Sequence, residues 1–69
     1  MTQREQILRY MRDFGSITAK DAFDDLGCER LASRIGELRK NGIGISTTME
    51  TKPNRYGKPV TYARYRLED

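Results

Sequence analysis

The sequence contains no histidine, a single cysteine and no apolar run longer than a few residues. Without histidine the chain lacks the commonest general base and metal ligand, so we predict no catalytic site, no metal site and no cofactor. Cys28 has no partner for an internal disulfide, and we expect it to pack as a small apolar residue in a turn. The short apolar runs predict neither a membrane span nor a signal peptide, so we expect a cytoplasmic protein.

The length of 69 residues predicts one domain, residues 1–69. A chain of this size buries only about 60% of the surface that its unfolded form exposes. We therefore expect a small core and no deep substrate pocket.

Positive charge is concentrated in the second half of the chain. Residues 30–66 contain nine basic and two acidic residues, whereas residues 1–29 contain four basic and six acidic ones. Such segregation is typical of a surface that binds a polyanion. The alternative interpretation is a solvated surface with mild charge sorting.

The first half of the chain predicts two helices. Thr2 and Glu5 have the spacing of a capping box that begins a helix over about residues 3–13. Thr18 and Asp21 repeat that signature before a helix over about residues 19–26. The predicted apolar sides are Ile7, Leu8, Met11 and Phe14 for the first helix, and Ala19, Ala22, Phe23 and Leu26 for the second.

A third helix is predicted over about residues 29–40. Leu31, Ile35 and Leu38 form one apolar stripe at helical spacing, and Asn41-Gly42 is a typical helix end. Gly27-Cys28 predicts a tight turn between the second and third helices. Two short helices joined in this way have the layout of a helix-turn-helix motif.

The rest of the chain predicts an antiparallel hairpin. Alternating patterns indicate strands over about residues 43–51 and 60–67. The segment 52–59 has a proline near each end and a central glycine, which favours a loop rather than continued strand. Ser16-Ile17 is too short for an independent strand but is suited to pairing with one edge of the sheet.

Three helices followed by a hairpin with a basic tip is the winged helix-turn-helix arrangement, an α+β fold with a two- to three-stranded antiparallel sheet. Over about residues 6–67 the chain resembles small winged helix-turn-helix proteins of bacteriophages and prophages. The likeness is carried by Asp21-Ala22-Phe23, Leu26-Gly27-Cys28, Arg30-Leu31-Ala32, Arg34-Ile35, Leu38-Arg39-Lys40 and Gly42. The resemblance implies a DNA-binding protein in which the hairpin tip is the wing.

On the third helix, four residues lie away from the apolar stripe and are candidates to face the DNA major groove. Arginine offers two donors to guanine, and Glu37 has the acceptors for a cytosine amine or for a neighbouring arginine. The alternative role of Arg34 is an ion pair with Glu37. Arg39 lies nearer the apolar flank, where its stem would cover the sheet. The four candidates are Arg30, Ser33, Arg34 and Glu37, and Lys40 follows at the helix end.

In the hairpin, Lys52, Arg55 and Lys58 are candidate phosphate or minor-groove contacts, and a cation at a wing tip is placed to enter a narrow groove. The alternative is that these cations only keep the loop solvated. Tyr56 is placed either to contact DNA or to pack across the turn. Arg64, on the following strand, completes the candidate contacts.

These features favour a phage or prophage protein that binds double-stranded DNA as a transcriptional regulator or an excisionase-like architectural factor. The alternative is a winged-helix protein that binds and modulates a host protein or a nucleic-acid-handling complex. RNA binding is a third alternative. No helix beyond the three is available for dimerisation, so we expect a monomer or weak self-association on DNA.

Overall fold

The computed structural model describes residues 1–68, and Asp69, the last residue of the predicted domain, lies outside that range. Three helices, α1 (Gln3–Phe14), α2 (Ala19–Leu26) and α3 (Leu31–Lys40), combine with strands β1 (Ile17–Thr18), β2 (Ile45–Pro53) and β3 (Pro59–Leu67). The sheet is antiparallel with the order β1-β3-β2. The predicted α+β architecture is therefore confirmed, including the short edge strand at Ile17.

Both predicted capping boxes are present. The Thr2 hydroxyl accepts from the Glu5 amide at 3.2 Å, and the Thr2 amide donates to the Glu5 carboxylate at 3.0 Å. Thr18 and Asp21 make the same reciprocal pair at the start of α2. These bonds satisfy amides that a helix start otherwise leaves unpaired, which explains why both helices begin where the sequence indicates.

The three helices and the sheet enclose one small core. Tyr65 of β3 packs against it, and Tyr10 of α1 lies at its edge. The predicted burial of Cys28 is confirmed. The buried apolar residues are Ile7, Met11, Ile17, Ala22, Cys28, Leu31, Ile35, Leu38 and Ile45.

Two aromatic residues predicted on the buried sides of α1 and α2 are exposed instead. Phe14 is 71% exposed and Phe23 is 56% exposed. Phe14 lies in the last turn of α1, where its ring packs on Tyr10 with the ring centroids 4.7 Å apart. The helical spacing identified the buried side of α1, whereas in α2 only Ala22 is buried and Ala19 is exposed as well. This core is too small to cover the residues at the ends and flanks of these two helices.

Element boundaries differ from prediction where the backbone has another hydrogen-bond partner. α3 begins at Leu31 rather than at residue 29, because Cys28 donates its amide back to Ala22 of α2 and Arg30 has a non-helical conformation. At the other end, Ile43 donates to Leu38 at 3.1 Å and Gly42 has a φ of 87°. This ending occupies the Ile43 amide, so β2 begins at Ile45 rather than at residue 43.

The two prolines belong to the strands, contrary to the prediction that residues 52–59 form the loop. Pro53 and Pro59 pair across β2 and β3 as the last residues of the ladder. The next pair, Asn54 and Lys58, is joined by a hydrogen bond of 2.8 Å. In an antiparallel ladder, pairs that exchange hydrogen bonds alternate with pairs that do not. Pro53 and Pro59 form a pair of the second kind, so the missing amide hydrogen of proline costs the ladder no bond. The loop is consequently shorter than predicted and comprises residues 54–58.

Candidate nucleic-acid interface

The outward face of α3 is defined here as Ser33, Gly36 and Lys40, which lie opposite the buried stripe. All three are exposed, and a Cβ placed on Gly36 would meet no atom within 4 Å. Small side chains in the middle of this face allow another molecule to approach the helix backbone closely. Arg30 is exposed at the cap position that precedes α3 rather than within the helix.

Arg34 and Glu37 lie on the side of α3 that faces α1. The Arg34 guanidinium donates to Glu37 Oε2 at 2.9 Å and, through Nε, to Gln3 Oε1 at 3.0 Å. Arg4 Nε lies 3.8 Å from Glu37 Oε1. The ion pair between Arg34 and Glu37 that the sequence left as an alternative is therefore formed, and it leaves both side chains about one-third exposed or more.

Arg39 lies on the opposite side of α3 and joins the helix to the sheet. Its guanidinium donates to the Ile45 carbonyl oxygen at 2.8 Å and to Thr47 Oγ1 at 2.8 Å, and its Cζ is 5.9 Å from the centroid of the Tyr65 ring. Arg39 thus covers the sheet, in agreement with its position near the apolar flank. These contacts fix the hairpin relative to α3.

The loop at the end of the hairpin is held by one side chain. Asn54 Oδ1 accepts from the amides of Tyr56 at 2.9 Å and Lys58 at 3.0 Å, and Gly57 takes a φ of 81°. This arrangement, typical of an asparagine turn, orders the backbone that carries Arg55 and Lys58. Tyr56 is 87% exposed and does not pack across the turn.

The two faces of the hairpin differ in charge. Successive residues of a strand point to opposite faces, so Thr47, Met49 and their partners Tyr65 and Ala63 share the face that meets α3. Lys52 and Arg64 lie on the other face. Because Arg64 lies on this other face, it points away from α3. Arg55, Tyr56 and Lys58 lie together in the loop at the end of the hairpin.

Arg64 has its own partners on that other face. Its guanidinium donates to Glu50 Oε1 at 2.9 Å and to Ser16 Oγ at 2.9 Å, and Tyr62 also donates to Glu50. The hydrogen bonds from Arg64 and Tyr62 lower the pKa of Glu50, and the carboxylate in turn raises the pKa of Arg64. Lys52 lies over the Tyr62 ring, with Nζ 5.6 Å from its centroid.

Gln3 and Arg4 were not predicted as neighbours of the candidate helix. Both belong to the first turn of α1, about thirty positions before their contacts on α3. Helical spacing identifies neighbours within one helix but carries no information about contacts between helices this far apart in sequence. The complementary charges of Arg4 and Glu37 were the only available signal.

The fold agrees with the protein family that the sequence matches. Residues 2–69 match the family described as the winged helix-turn-helix domain. The chain belongs to this family. No curated protein and no solved structure matches the sequence.

Within the winged helix-turn-helix domain, α2 and α3 form the helix-turn-helix motif, and the β2–β3 hairpin is the wing. In DNA-binding proteins of this class the second helix of the motif enters the major groove. In this chain the second helix of the motif is α3, and residues 54–58 are the wing tip. Within residues 1–68, no helix has the length and apolar character needed to cross a membrane.

Proposed function

We propose that this winged helix-turn-helix protein binds double-stranded DNA, with the outward face of α3 in the major groove and the wing tip on the flanking backbone or minor groove. Arg30 and Lys40 stand at the two ends of α3, and small residues occupy the middle of its outward face. A helix of ten residues is about 15 Å long, comparable with the roughly 12 Å width of the major groove.

The observation that carries the proposal is the surplus of unpaired positive charge. Both acidic residues between positions 30 and 66 are already engaged, Glu37 by Arg34 and Glu50 by Arg64. Of the nine basic residues in that segment, the other seven form no ion pair within residues 1–68. Arg55 and Lys58 are among them, held on an ordered loop. Unpaired cations are available to replace the counterions that surround phosphates.

The resemblance to phage and prophage proteins supports a more specific role. We propose that the protein controls transcription, or assists recombination as an excisionase-like architectural factor, in the cytoplasm of a bacterial host. Neither role requires a catalytic step or a cofactor. The proposed form is a monomer that associates weakly with further copies on DNA.

One observation favours the alternative of a protein partner. A groove of about 450 Å³ lies between α1 and α2, lined in part by Tyr10, Phe14 and Leu26. The exposed Phe14 ring borders this groove, and none of the candidate DNA contacts does. An exposed aromatic residue beside an apolar groove suits binding to a host protein or a nucleic-acid-handling complex.

Measurement of duplex binding over a range of salt concentrations tests the main proposal. If about four to six phosphates are neutralised, the logarithm of the binding constant falls against the logarithm of salt concentration with a slope of roughly −4 to −5. A flat response, or no binding to random duplex at low salt, contradicts the proposal. Capture of a host protein without duplex binding would favour the alternative.

A further inference from the structure

A polar hollow of about 360 Å³ lies where the first turn of α1 meets α3. It is lined by Thr2, Gln3, Arg4, Arg34 and Glu37. Glu37 is engaged by an arginine from each helix, and Gln3 accepts from Arg34. Two side chains of α1 are thus tied directly to the pair on α3 that sequence analysis identified for base contacts.

The position of this hollow relative to the wing is set by the two sides of α3. Arg34 contacts α1, and Arg39 contacts the sheet. These arginines are five residues apart, so their directions differ by about 140° around a helix of 3.6 residues per turn. The first turn of α1 and the wing therefore flank α3 on different sides. A helix in the major groove has a phosphate backbone along each side, and the wing accounts for only one of them.

The charges in the hollow suit a phosphate. Glu37 is the only acidic residue of α3, and its side chain is 41% exposed. Its negative charge would oppose the approach of DNA unless arginines neutralise it. Arg4 is 45% exposed, and its Nε lies 3.8 Å from the carboxylate, which is longer than a hydrogen bond, so Arg4 is well hydrated and loosely held. Such an exposed ion pair is weak, so exchange of the carboxylate for a phosphate costs little.

We propose that the first turn of α1 is a third DNA-contacting element, in which Arg4 contacts a phosphate of the duplex and Gln3 positions Arg34 to contact a base edge. This inference rests on the proposed binding of duplex DNA by α3. It adds two residues from outside the helix-turn-helix motif and the wing. Gln3 acts through Arg34 and is a positioning residue, whereas Arg4 touches the DNA itself.

The phosphate contact is tested with Arg4→Ala and a matched variant, Arg9→Ala. Both arginines belong to α1, and each has a carboxylate within ion-pair distance, Glu37 for Arg4 and Asp13 for Arg9. We expect Arg4→Ala to weaken binding to all duplexes and to make the salt slope shallower by about 0.9. Arg9→Ala should leave the slope unchanged. Equal slopes for the two variants would overturn the contact.

The positioning role is tested with Gln3→Ala. Loss of the Oε1 acceptor should reduce the preference for a selected duplex over random duplex by about fivefold or more, because Arg34 loses its orientation. The salt slope should not change, since no charge is removed. Gln3→Glu keeps the acceptor and should restore the preference between duplexes, while its added negative charge lowers the affinity for every duplex. A variant that melts earlier but keeps its preference would show a merely structural role and overturn the positioning.

The failure of this proposal is distinct from failure of the proposed function. Absence of duplex binding by the unaltered protein overturns both. Salt-dependent binding by the unaltered protein, with Arg4→Ala indistinguishable from Arg9→Ala, overturns only the α1 contact. An unaltered protein with no sequence preference overturns the role of Gln3.

Discussion

The arginines of this protein differ in the partners that their guanidinium groups bind. Arg64 is tied to Glu50 and Ser16, Arg39 to the sheet, and Arg34 to Glu37 and Gln3. Arg55 forms no ion pair within residues 1–68. A fixed arginine must give up existing bonds before it contacts DNA, whereas Arg55 has no ion pair within residues 1–68 to give up. For the proposed complex with DNA, we therefore expect the contact of Arg55 to form earlier than that of Arg34.

Tyr10 provides a prediction at the scale of a single hydrogen bond. Its hydroxyl donates to Asp25 Oδ2 at 2.6 Å, and this bond raises the pKa of Tyr10 to about 12. The bond stabilises the neutral phenol in the folded state only, so its contribution is complete below the ordinary pKa of 10 and disappears between pH 10 and about 12. The free energy of unfolding should therefore fall more steeply over that range in the unaltered protein than in Tyr10→Phe.

The measurement is urea unfolding at a series of pH values, with phenolate absorbance followed in parallel. Tyr56→Phe is the matched control, because it removes one phenol from the exposed wing tip. This control should keep the steep fall in the free energy of unfolding. It should also keep the phenolate absorbance of Tyr10, which appears only as the pH approaches about 12. If Tyr10→Phe shows the same pH dependence as the control, the bond to Asp25 does not persist in solution.

At the scale of elements, the sequence determined the parts whose causes are local. The Thr2 and Thr18 capping boxes and the helix end at Gly42 depend on residues within one turn, and each appears where predicted. The predicted start of β2 was wrong, because the Ile43 amide donates to the carbonyl oxygen of Leu38 instead of to a strand of the sheet. The exposure of Phe14 could not be predicted, because it depends on how far the finished core extends. The same limit applies to the site, where the contacts of Gln3 and Arg4 arise only after α1 packs on α3.

The wing tip gives a prediction for one element. The double variant Arg55→Gln, Lys58→Gln removes two unpaired cations but keeps Asn54 and Gly57, which order the loop. We expect weaker binding to every duplex and a salt slope shallower by about 2, with unchanged thermal unfolding. The matched control Arg9→Gln, Arg12→Gln removes the same charge from α1. An equal loss in this control would indicate that net charge, rather than the wing, determines affinity.

The whole molecule separates two kinds of surface. The outward face of α3 and the wing tip provide cations and small side chains, whereas the groove between α1 and α2 provides aromatic rings. Its lining residues come from Met1, α1 and α2. A protein with this division can bind DNA through one surface while the other remains open to a partner. The DNA proposal and the protein-partner alternative thus concern different residues and can be tested independently.

Phe14→Ser tests that separation, because it alters the groove without touching α3 or the wing. The loss of the contact with Tyr10 should lower the free energy of unfolding by about 1 kcal/mol. Duplex affinity and salt slope should remain those of the unaltered protein when measured well below the unfolding temperature. The double variant of the wing tip should do the reverse, with stability kept and duplex affinity lost.

If Phe14→Ser instead reduces duplex affinity as much as the wing variant does, the groove belongs to the DNA interface and the division into two surfaces is wrong. If both variants keep duplex affinity and the wing variant alone no longer captures a host protein, the wing is a protein-docking element.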